Sequence, residues 1–579
     1  MDNPALARVF GDIADLLEIK GENPFKIRAY RNASETIATF GGRVADLDDV
    51  RLLQIPGIGR DLAKKVREIV ETGDTAYRRE LAAEFPPSLL DLLRLQGVGP
   101  RTVRQLYAEL GVRTLDDLET ALGDGRLRSL RGMGTRKQEA LQRALEEHRR
   151  YAGRHLLADT AEAAAALVAW LSDREPGIEF VPVGSLRRRC ETCGDLDVLA
   201  IGASAAVMDR FTAYTLVDRA LGRGDTKSSV LLRGGQQADL RLVPTESRGA
   251  ALQYFTGSKA HNIALRDRAI GRGFKLNEYG LFRIEGGERV AGESEEDIYA
   301  ALGLAWIPPE LREHRGEIGA AERGSLPALI ARTDLCGDLH AHTTATDGRD
   351  GIEAMAHAAR AAGLEYLAIT DHSQALSMAN GLDERRALEH ARAVRETSSR
   401  VEGIEVLAGI ECDIRSDGTL DLADDCLAEL DYVVASIHSG FGQDEQAMTD
   451  RLLRAMECPW VDAIGHPTGR ILLRREPHNA RLDEVFDAAA RLGVALEINC
   501  HPDRLDLSDA TARLARERGA RLVIGSDAHS IQAFGTLDWG VAVARRAWAT
   551  PADVLNTQPL ARLRASLRRC HGRAVPMPR

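Results

Sequence analysis

The amino-acid sequence predicts a multidomain chain: an all-α N-terminal region, an α+β middle and a C-terminal distorted (β/α) barrel. Three observations carry this expectation. Residues 1–150 contain three copies of one pattern, LLQIPGIGRDLAKKV (52–66), LLRLQGVGPRTVRQLY (92–107) and LRSLRGMGTRKQEAL (127–141). Each is an apolar helix end, a G-x-G turn and a helix whose first turns are basic, so this region reads as helical throughout. After a further helix, TAEAAAALVAWLS (160–172), the period changes to the short strands FVPVGS, DLDVLAIG, SSVLLR and ADLRLVP, separated by helices and glycine-containing turns. From residue 334 onward, short apolar runs alternate with helical patterns such as IEAMAHAARAAG and LDEVFDAAARLG, the signature of repeated βα units.

Length and composition agree. At about 100–200 residues per domain, 579 residues imply about three to five domains. A composition of 44% hydrophobic and 28% charged residues is that of an ordinary soluble globular protein. No apolar run reaches the roughly 18 residues a membrane helix needs, and MDNPALARVFGDIADLLEIKGENPFK has no signal-peptide core. Eight irregularly spaced cysteines are no disulfide framework, so a cytoplasmic, reducing compartment is expected. The net charge of −11 is unevenly spread. Residues 1–150 carry 25 Lys and Arg against 24 Asp and Glu, whereas residues 331–579 carry 29 against 38 and hold 11 of the 15 histidines. An acidic, histidine-rich segment behind a near-neutral one points to bound cations. Residues 287–333, which include GESEEDIYAALGLAWIPPELREHRGE, are polar and proline-containing and read as a linker.

In the repeats, glycine permits positive φ and close backbone approach, at Gly57 and Gly59 in the first copy and Gly97 and Gly99 in the second. The amides that open the following helix then have no partner, which suits a phosphate oxygen and reads backbone rather than sequence. A single copy would be an ordinary helical hairpin; three copies spaced 35–40 residues apart favour phosphate binding. The segments resemble helix-hairpin-helix DNA-binding motifs, the third being degenerate, with Arg131 and Met133 around its glycines.

GDLDVLAIG places Asp195 and Asp197 two apart on a strand, facing the same way, and ADLRLVP supplies Asp239 with Arg241 on the same face. Three carboxylates gathered together need cations, and all-oxygen ligation selects Mg²⁺ or Mn²⁺. Two such ions about 3.5–4 Å apart are the apparatus of in-line phosphoryl transfer. GSLRRR (184–189) adds a Gly-Ser turn and three arginines, a combination suited to a polyphosphate. A lone D-x-D is usually a solvated strand edge; this one comes with the turn, the arginines and a third carboxylate.

These residues resemble family X DNA polymerases, the group that includes polymerase beta, over residues 1 to about 310. GSLRRRCETCGDLDVLA is similar to the family's nucleotidyltransferase motif, QADLRLVP to its third-carboxylate strand, and YFTGSKAHNIALR (254–266) and GFKLNEYGLF (273–282) to its thumb. The resemblance implies that Asp195 and Asp197 bind both metals while Asp239, a ligand too, activates the primer 3′-hydroxyl. It implies that Gly184, Ser185, Arg188 and Gly194 hold the incoming triphosphate. Tyr254, Phe255 and Asn262 would line the nucleotide pocket, Arg266 would reach the template, and Arg241 would contact DNA. Lys259 departs from the pattern, which is acidic there. Lys65 matches the family's Schiff-base lysine for removal of 5′-deoxyribose phosphate, with Lys64 and Arg67 as cationic neighbours. Lys26 and Tyr30 match its 5′-phosphate pocket, although Asp61 stands where that pocket is basic; a surface lysine that contacts phosphate is the alternative. Cys190 and Cys193 form a single C-x-x-C with no second pair and read as ordinary thiols.

In the C-terminal part the apolar runs end in metal-type residues: His340, His342 and Asp347, then His372, Glu411, His438, His466, Asp527 and His529. In a parallel barrel these ends open on one face. Six imidazoles and three carboxylates suit Zn²⁺, Mn²⁺ or Fe, two or three ions in all. His357, His390, His478, His501 and His571 read as surface or supporting residues. The pattern resembles the PHP (polymerase and histidinol phosphatase) domain over about 334–575. The resemblance implies one ion on His340, His342, Glu411 and Asp527, a second on Glu411, His438 and His466, and a third on Asp347, His372 and His529. Arg470 and Arg504 are candidate substrate-phosphate contacts.

A family X core followed by a PHP domain is the arrangement of bacterial-type family X polymerases. It implies a lyase-like helical domain (1–85), helical fingers (86–150), a palm (151–245), a thumb (246–315), a linker (316–333) and a PHP domain (334–579). The expected function is DNA-directed DNA polymerisation that fills short gaps in repair by two-metal nucleotidyl transfer, with Mg²⁺ or Mn²⁺. A 3′–5′ exonuclease with Mn²⁺ and/or Zn²⁺, with abasic-site endonuclease or 3′-phosphatase activity in some relatives, would reside in the PHP domain. The expected partners are gapped or primer–template DNA and dNTPs, with no membrane and a monomeric chain. Two rivals are a PHP small-molecule phosphatase with a vestigial polymerase core and a non-enzymatic DNA-gap scaffold. Both predict gaps in one ligand set or the other, and neither set has any.

Overall fold

A computed structural model describes residues 3–38, 44–55, 57–86, 88–93, 95, 98–130, 132–151 and 153–567. Gly97, Arg131 and His571 lie outside the described residues. The chain forms two compact units, one of residues 1–152 and 473–475 and one of residues 153–472 and 476–579. Among the described residues no helix is long and apolar enough to cross a membrane.

The described residues of the first unit are helical, as the repeats require, and hold two apolar cores. Leu6, Phe10, Ile13 and Leu17 of the helix Asn3–Lys20 pack with Tyr30, Ile37, Leu62 and Val66. Leu89, Leu92, Val103, Leu106, Leu118, Leu127, Leu141 and Leu145 form the second core. The hairpins pair Asp49–Leu52 with Arg60–Thr72, and Leu89–Leu93 with Pro100–Leu110. The degenerate third repeat enters through a 3-10 turn, Arg126–Ser129, ahead of Thr135–Tyr151.

The second unit opens on the helix Leu157–Arg174, packed on a five-stranded sheet in the order Glu179–Pro182, Leu196–Ile201, Gln237–Val243, Lys227–Leu232, Val217–Arg223. The last of these is not visible in the sequence pattern: VDRALGR is an edge strand, largely exposed and without apolar alternation. Only Leu196–Ile201 and Gln237–Val243 run parallel.

Residues 287–333 are not a linker. They form the strand Arg289–Ala291, the helix Glu295–Ala301 and, within 316–333, the helix Glu317–Glu322. Their charges are neutralised inside the fold rather than solvated. Fully buried Arg312 donates to Glu295 at 2.6 Å and to the Ile307 carbonyl at 2.9 Å, and buried Glu317 pairs with His261 at 2.7 Å. Buried pairs of this kind are invisible to a composition argument.

The C-terminal part is a barrel of seven parallel strands in sequence order, from Gly337–Asp338 to Leu522–Gly525. Between the first and last strands, one isolated parallel bridge joins Ala341 to Ala528. The remaining gap is stapled by Asn556, fully buried. Its amide donates to the carbonyls of Gly337 (2.7 Å) and Ile524 (2.8 Å), and its oxygen accepts from the Ile524 amide (3.1 Å). Replacing Asn556 by Ala strands three buried backbone groups and is expected to cost about 3 kcal/mol, read as a lower denaturant midpoint for unfolding of the barrel.

Candidate active sites

Asp195 sits in the bend just before the strand Leu196–Ile201, and Asp197 lies inside it. Parallel pairing puts Asp197 directly in register with Asp239 on the neighbouring strand. Asp239 accepts from Lys227 Nζ at 2.6 Å and from Gln237 Nε2 at 2.9 Å. Burial alone would raise its pKa, but Lys227, Ser229 and Gln237 outweigh burial and hold it below the usual carboxylate value. Asp197 is pushed up to about 6 by burial and by the charges of Asp239 and Asp195, with Arg241 and Lys227 opposing. A cluster of acids with too little protein counter-charge is chemically suited to hard divalent cations.

The turn beside it explains one glycine. Gly184 has φ +64°, and a Cβ there would lie 3.0 Å from Asp197 Oδ2. Ser185 follows in the short helical turn Gly184–Arg187. Arg188 Nε donates to Glu313 at 2.9 Å and a second nitrogen donates to the Thr256 carbonyl. The Gly194 carbonyl accepts from Gln236 at 3.1 Å. On the helix Arg248–Thr256, the rings of Tyr254 and Phe255 meet edge-on at 5.0 Å, and Arg241 lies 4.7 Å over Phe255. Asn262 is spent internally, donating to the Tyr254 carbonyl at 2.7 Å and accepting from Gln253 at 2.8 Å, so it positions Tyr254. Arg266 is exposed. Cys190 and Cys193 are thiols made less acidic by burial, Cys190 up to about 11.

In the first unit Gly57 has φ +84°, and Gly59 and Gly99 begin the helices Arg60–Thr72 and Pro100–Leu110 with no side-chain cap, their amide-bearing faces open. Lys65 is ion-paired with Asp61 at 2.6 Å, and Arg67 turns away to Asp49 at 2.8 Å. Lys65 therefore has a carboxylate partner, and of its expected cationic neighbours Arg67 is paired elsewhere. Lys26 and Lys65 lie 5.0 and 5.5 Å from the ring of Tyr77, on which buried Tyr30 stacks at 6.0 Å.

At the strand ends of the barrel all nine expected donors converge. His342, Asp347, His372 and His529 form one group of mutually close donor atoms, His340, His342 and Asp527 a second, and His372, Glu411 and His438 a third. Glu411 is central: Oε1 lies 3.0 Å from His466 and 3.3 Å from His438, and Oε2 lies 2.8 Å from His372 and 3.5 Å from His340. The grouping differs from the expected ion sets in bringing His372 next to Glu411 and His438. Burial, with His529 and His372 nearby, pushes His342 down to about 4. Burial opposes charge on His372 and His438 too, but Glu411 overrides it and raises them to about 10 and about 9. Buried His340 Nε2, both nitrogens of His342, Glu411 Oε2 and His466 Nδ1 have no hydrogen-bond partner. Orphaned donors and acceptors in one cluster, with a mixed nitrogen and oxygen set, fit Mn²⁺ or Zn²⁺.

Sequence reasoning missed the residues that hold these ligands. Buried Glu497 accepts from His340 Nδ1 at 2.7 Å and from the His466 amide at 2.6 Å, and Asn499 donates to Asp527 at 3.0 Å. Asp413 lies 3.2 Å from His438 Nδ1, and Asp371 lies 2.8 Å from His390. ALEINC is another apolar run ending in polar residues, and the rule that found Glu411 would have found Glu497 and Asn499 had it been applied to this run. His357 and His501 lie on the surface, half exposed, and His478 is mostly buried. Lys227 had no signal, because it reaches Asp239 from a neighbouring antiparallel strand. Arg470, a candidate phosphate contact in the sequence, is buried, donates to the Arg504 and Leu505 carbonyls and pairs with Glu191 at 2.7 Å.

Four known families match the chain: a helix-hairpin-helix domain at residues 1–75, a SAM-like helix-hairpin-helix tandem at 89–147, a DNA polymerase beta thumb at 251–313 and a PHP domain at 338–501. The DNA polymerase/3′-5′ exonuclease PolX of Bacillus subtilis is 37% identical over 572 residues, 98% of this chain and all of that protein. A probable phosphatase of Shewanella sediminis is 32% identical over 244 residues, 40% of this chain and 94% of its own length. Another, from a Thermoanaerobacter species, is 29% identical over 231 residues, 38% of this chain and 89% of its own. The phosphatases thus match a part about the size of the barrel, whereas the Bacillus protein matches end to end, and the chain belongs to the bacterial family X DNA polymerases that carry a PHP domain.

Proposed function

We propose that the chain is a DNA polymerase that fills short gaps and trims 3′ ends by 3′–5′ exonuclease action at a second site in the barrel. The observation that carries the first activity is the register pairing of Asp197 with Asp239, beside the Gly184–Arg188 turn. Asp195, Asp197 and Asp239 would hold Mg²⁺ or Mn²⁺; the nine barrel donors would hold Mn²⁺ and/or Zn²⁺. Such ions supply positive charge that neutralises a polyphosphate, polarises a phosphodiester and activates water. The protein's own groups do the rest. Asp239, kept ionised by Lys227 and Gln237, is placed to take the proton of a primer 3′-hydroxyl as that oxygen attacks the α-phosphorus and pyrophosphate leaves. Ser185, Arg188 and the Gly194 backbone hold the triphosphate, and Tyr254, Phe255 and Arg241 border the nucleotide.

The uncapped helix starts at Gly59 and Gly99 grip the DNA backbone on either side of a gap, with Lys26 and Lys65 as further phosphate contacts. With 25 cations against 24 anions in residues 1–150, non-specific affinity is modest and falls with salt. The working form is a cytoplasmic monomer on gapped or primer–template DNA with dNTPs. In the barrel, Glu497 fixes the orientation of His340, and Asp413 that of His438.

On gapped DNA with Mg²⁺ or Mn²⁺, Asp195→Ala is expected to abolish primer extension and spare 3′ degradation, and His342→Ala to do the reverse. Loss of both activities in both variants would contradict two separate sites. Asp197 also sets a pH dependence. Its folded pKa of about 6 exceeds the ordinary 3.8, so it favours folding most below about pH 4, and that contribution is lost as pH rises through 6. In chelator, wild type is expected to lose about 2 kcal/mol relative to Asp197→Asn between about pH 4 and 7, after allowance for partial exposure, measured by denaturant titration.

A further inference from the structure

A further charged network, made of none of the expected metal donors, ties the palm turn to a helix of the barrel. Its centre is Glu313, at the C-terminal end of the thumb. One carboxylate oxygen, Oε1, accepts from two arginines: Arg188 Nε at 2.9 Å and Arg546 Nη1 at 3.0 Å. Arg546 ends the helix Leu537–Arg546 of the barrel and is 7% exposed. The same Nη1 donates to the main-chain carbonyl of Arg188 at 2.8 Å, and Nη2 donates to Asp509 at 2.8 Å, which also pairs with Arg315 at 3.0 Å. The loop that follows Arg188 touches the barrel twice more. Arg189 lies 5.8 Å over the Trp539 ring of the same helix, and Glu191 pairs with buried Arg470.

This arrangement holds Arg188 at both ends. Arg546 fixes the backbone of residue 188 through its carbonyl and, through Glu313, the Nε edge of its guanidinium; the Thr256 carbonyl takes a second nitrogen. The outer nitrogen, Nη2, has only a weak contact with Cys190 Sγ at 3.8 Å and is the edge left for an anion. An arginine already held through Nε and a second nitrogen loses little rotamer freedom when it meets a phosphate. Were Glu313 shared with no second cation, it would compete with the triphosphate for Arg188. Arg546 keeps the carboxylate balanced when Arg188 engages an anionic ligand.

We propose that Arg546 and Glu313 are positioning residues for nucleotide addition: the barrel, through these two side chains, sets the pose in which Arg188 receives the triphosphate of an incoming nucleotide. The proposal rests on the polymerase reading of Arg188 given above. It makes a residue of the PHP region part of the nucleotide-binding machinery of the palm, although Arg546 is none of the nine barrel donors.

Single-nucleotide gap filling by the full-length chain, with dNTP concentration varied in Mg²⁺, tests this. Arg546→Gln is expected to raise the dNTP KM about tenfold while kcat changes less than about threefold. Degradation of a 3′ end in Mn²⁺ by the same preparation should stay at the wild-type rate. Arg546→Lys should recover part of the loss, since an ammonium pairs with one carboxylate but cannot serve Glu313, Asp509 and the Arg188 carbonyl together. Glu313→Gln should raise KM similarly, and the double variant should be no worse than the worse single one, as expected of residues acting in one network. An unchanged KM in Arg546→Gln overturns the proposal. So does a parallel fall of extension and degradation with a lowered Tm, which marks a purely structural pair. Failure of the wild type to extend the primer strikes the polymerase reading itself and is seen before any variant is compared.

Discussion

Parallel strand pairing is the constraint on which both sites depend. Parallel neighbours advance together, so side chains at equal register lie side by side and all C-terminal strand ends open on one side. In the palm sheet only one pair of strands is parallel, and it is the pair that sets Asp197 against Asp239. In the barrel all seven are parallel, and the donors that follow each strand are delivered to one mouth. Local geometry then refines each placement, as at Gly184, where positive φ favours glycine and a Cβ would crowd Asp197.

Charge balance separates structural groups from functional ones. Where the chain buries charge for structure, it sets an opposite charge within hydrogen-bond reach: Arg312 with Glu295, one guanidinium nitrogen being left over, and Glu317 with His261. Around Asp197 and at the mouth of the barrel the balance is poorer. Asp197 has acids on two sides, and His340, His342 and Glu411 keep buried atoms with no partner. Buried polar atoms left unmatched are costly, so they persist where something outside the chain completes them. The residues behind them are fully matched. Glu497, Asn499, Asp413 and Asp371 each hold a ligand or its loop, which leaves the ligands oriented before any ion arrives.

The same accounting gives the palm and the barrel a shared structural element. The loop after Arg188 is held from the barrel side by Arg470, Trp539 and Arg546, all of them partly or wholly buried. A turn braced by another domain is stiffer than a free surface loop, and here the brace is made of named charges. Glu191, Glu313 and Asp509 are the acidic partners of this seam.

The sequence by itself determined the chemistry. Repeated G-x-G turns, the D-x-D with its third carboxylate, and nine metal-type residues at successive strand ends were all legible, because each depends on residue type and short-range spacing. Only the tertiary structure decided what those residues touch. Lys227 comes from a strand whose neighbours no local pattern reveals. The stretch 287–333 looks solvated in composition yet buries Arg312 and Glu317, because its charges find partners far along the chain. Lys65 pairs with Asp61, and Arg470 pairs with Glu191. Periodicity reports which face of an element is apolar, but a charged side chain takes its role from the partner opposite it, and that partner is chosen by the fold.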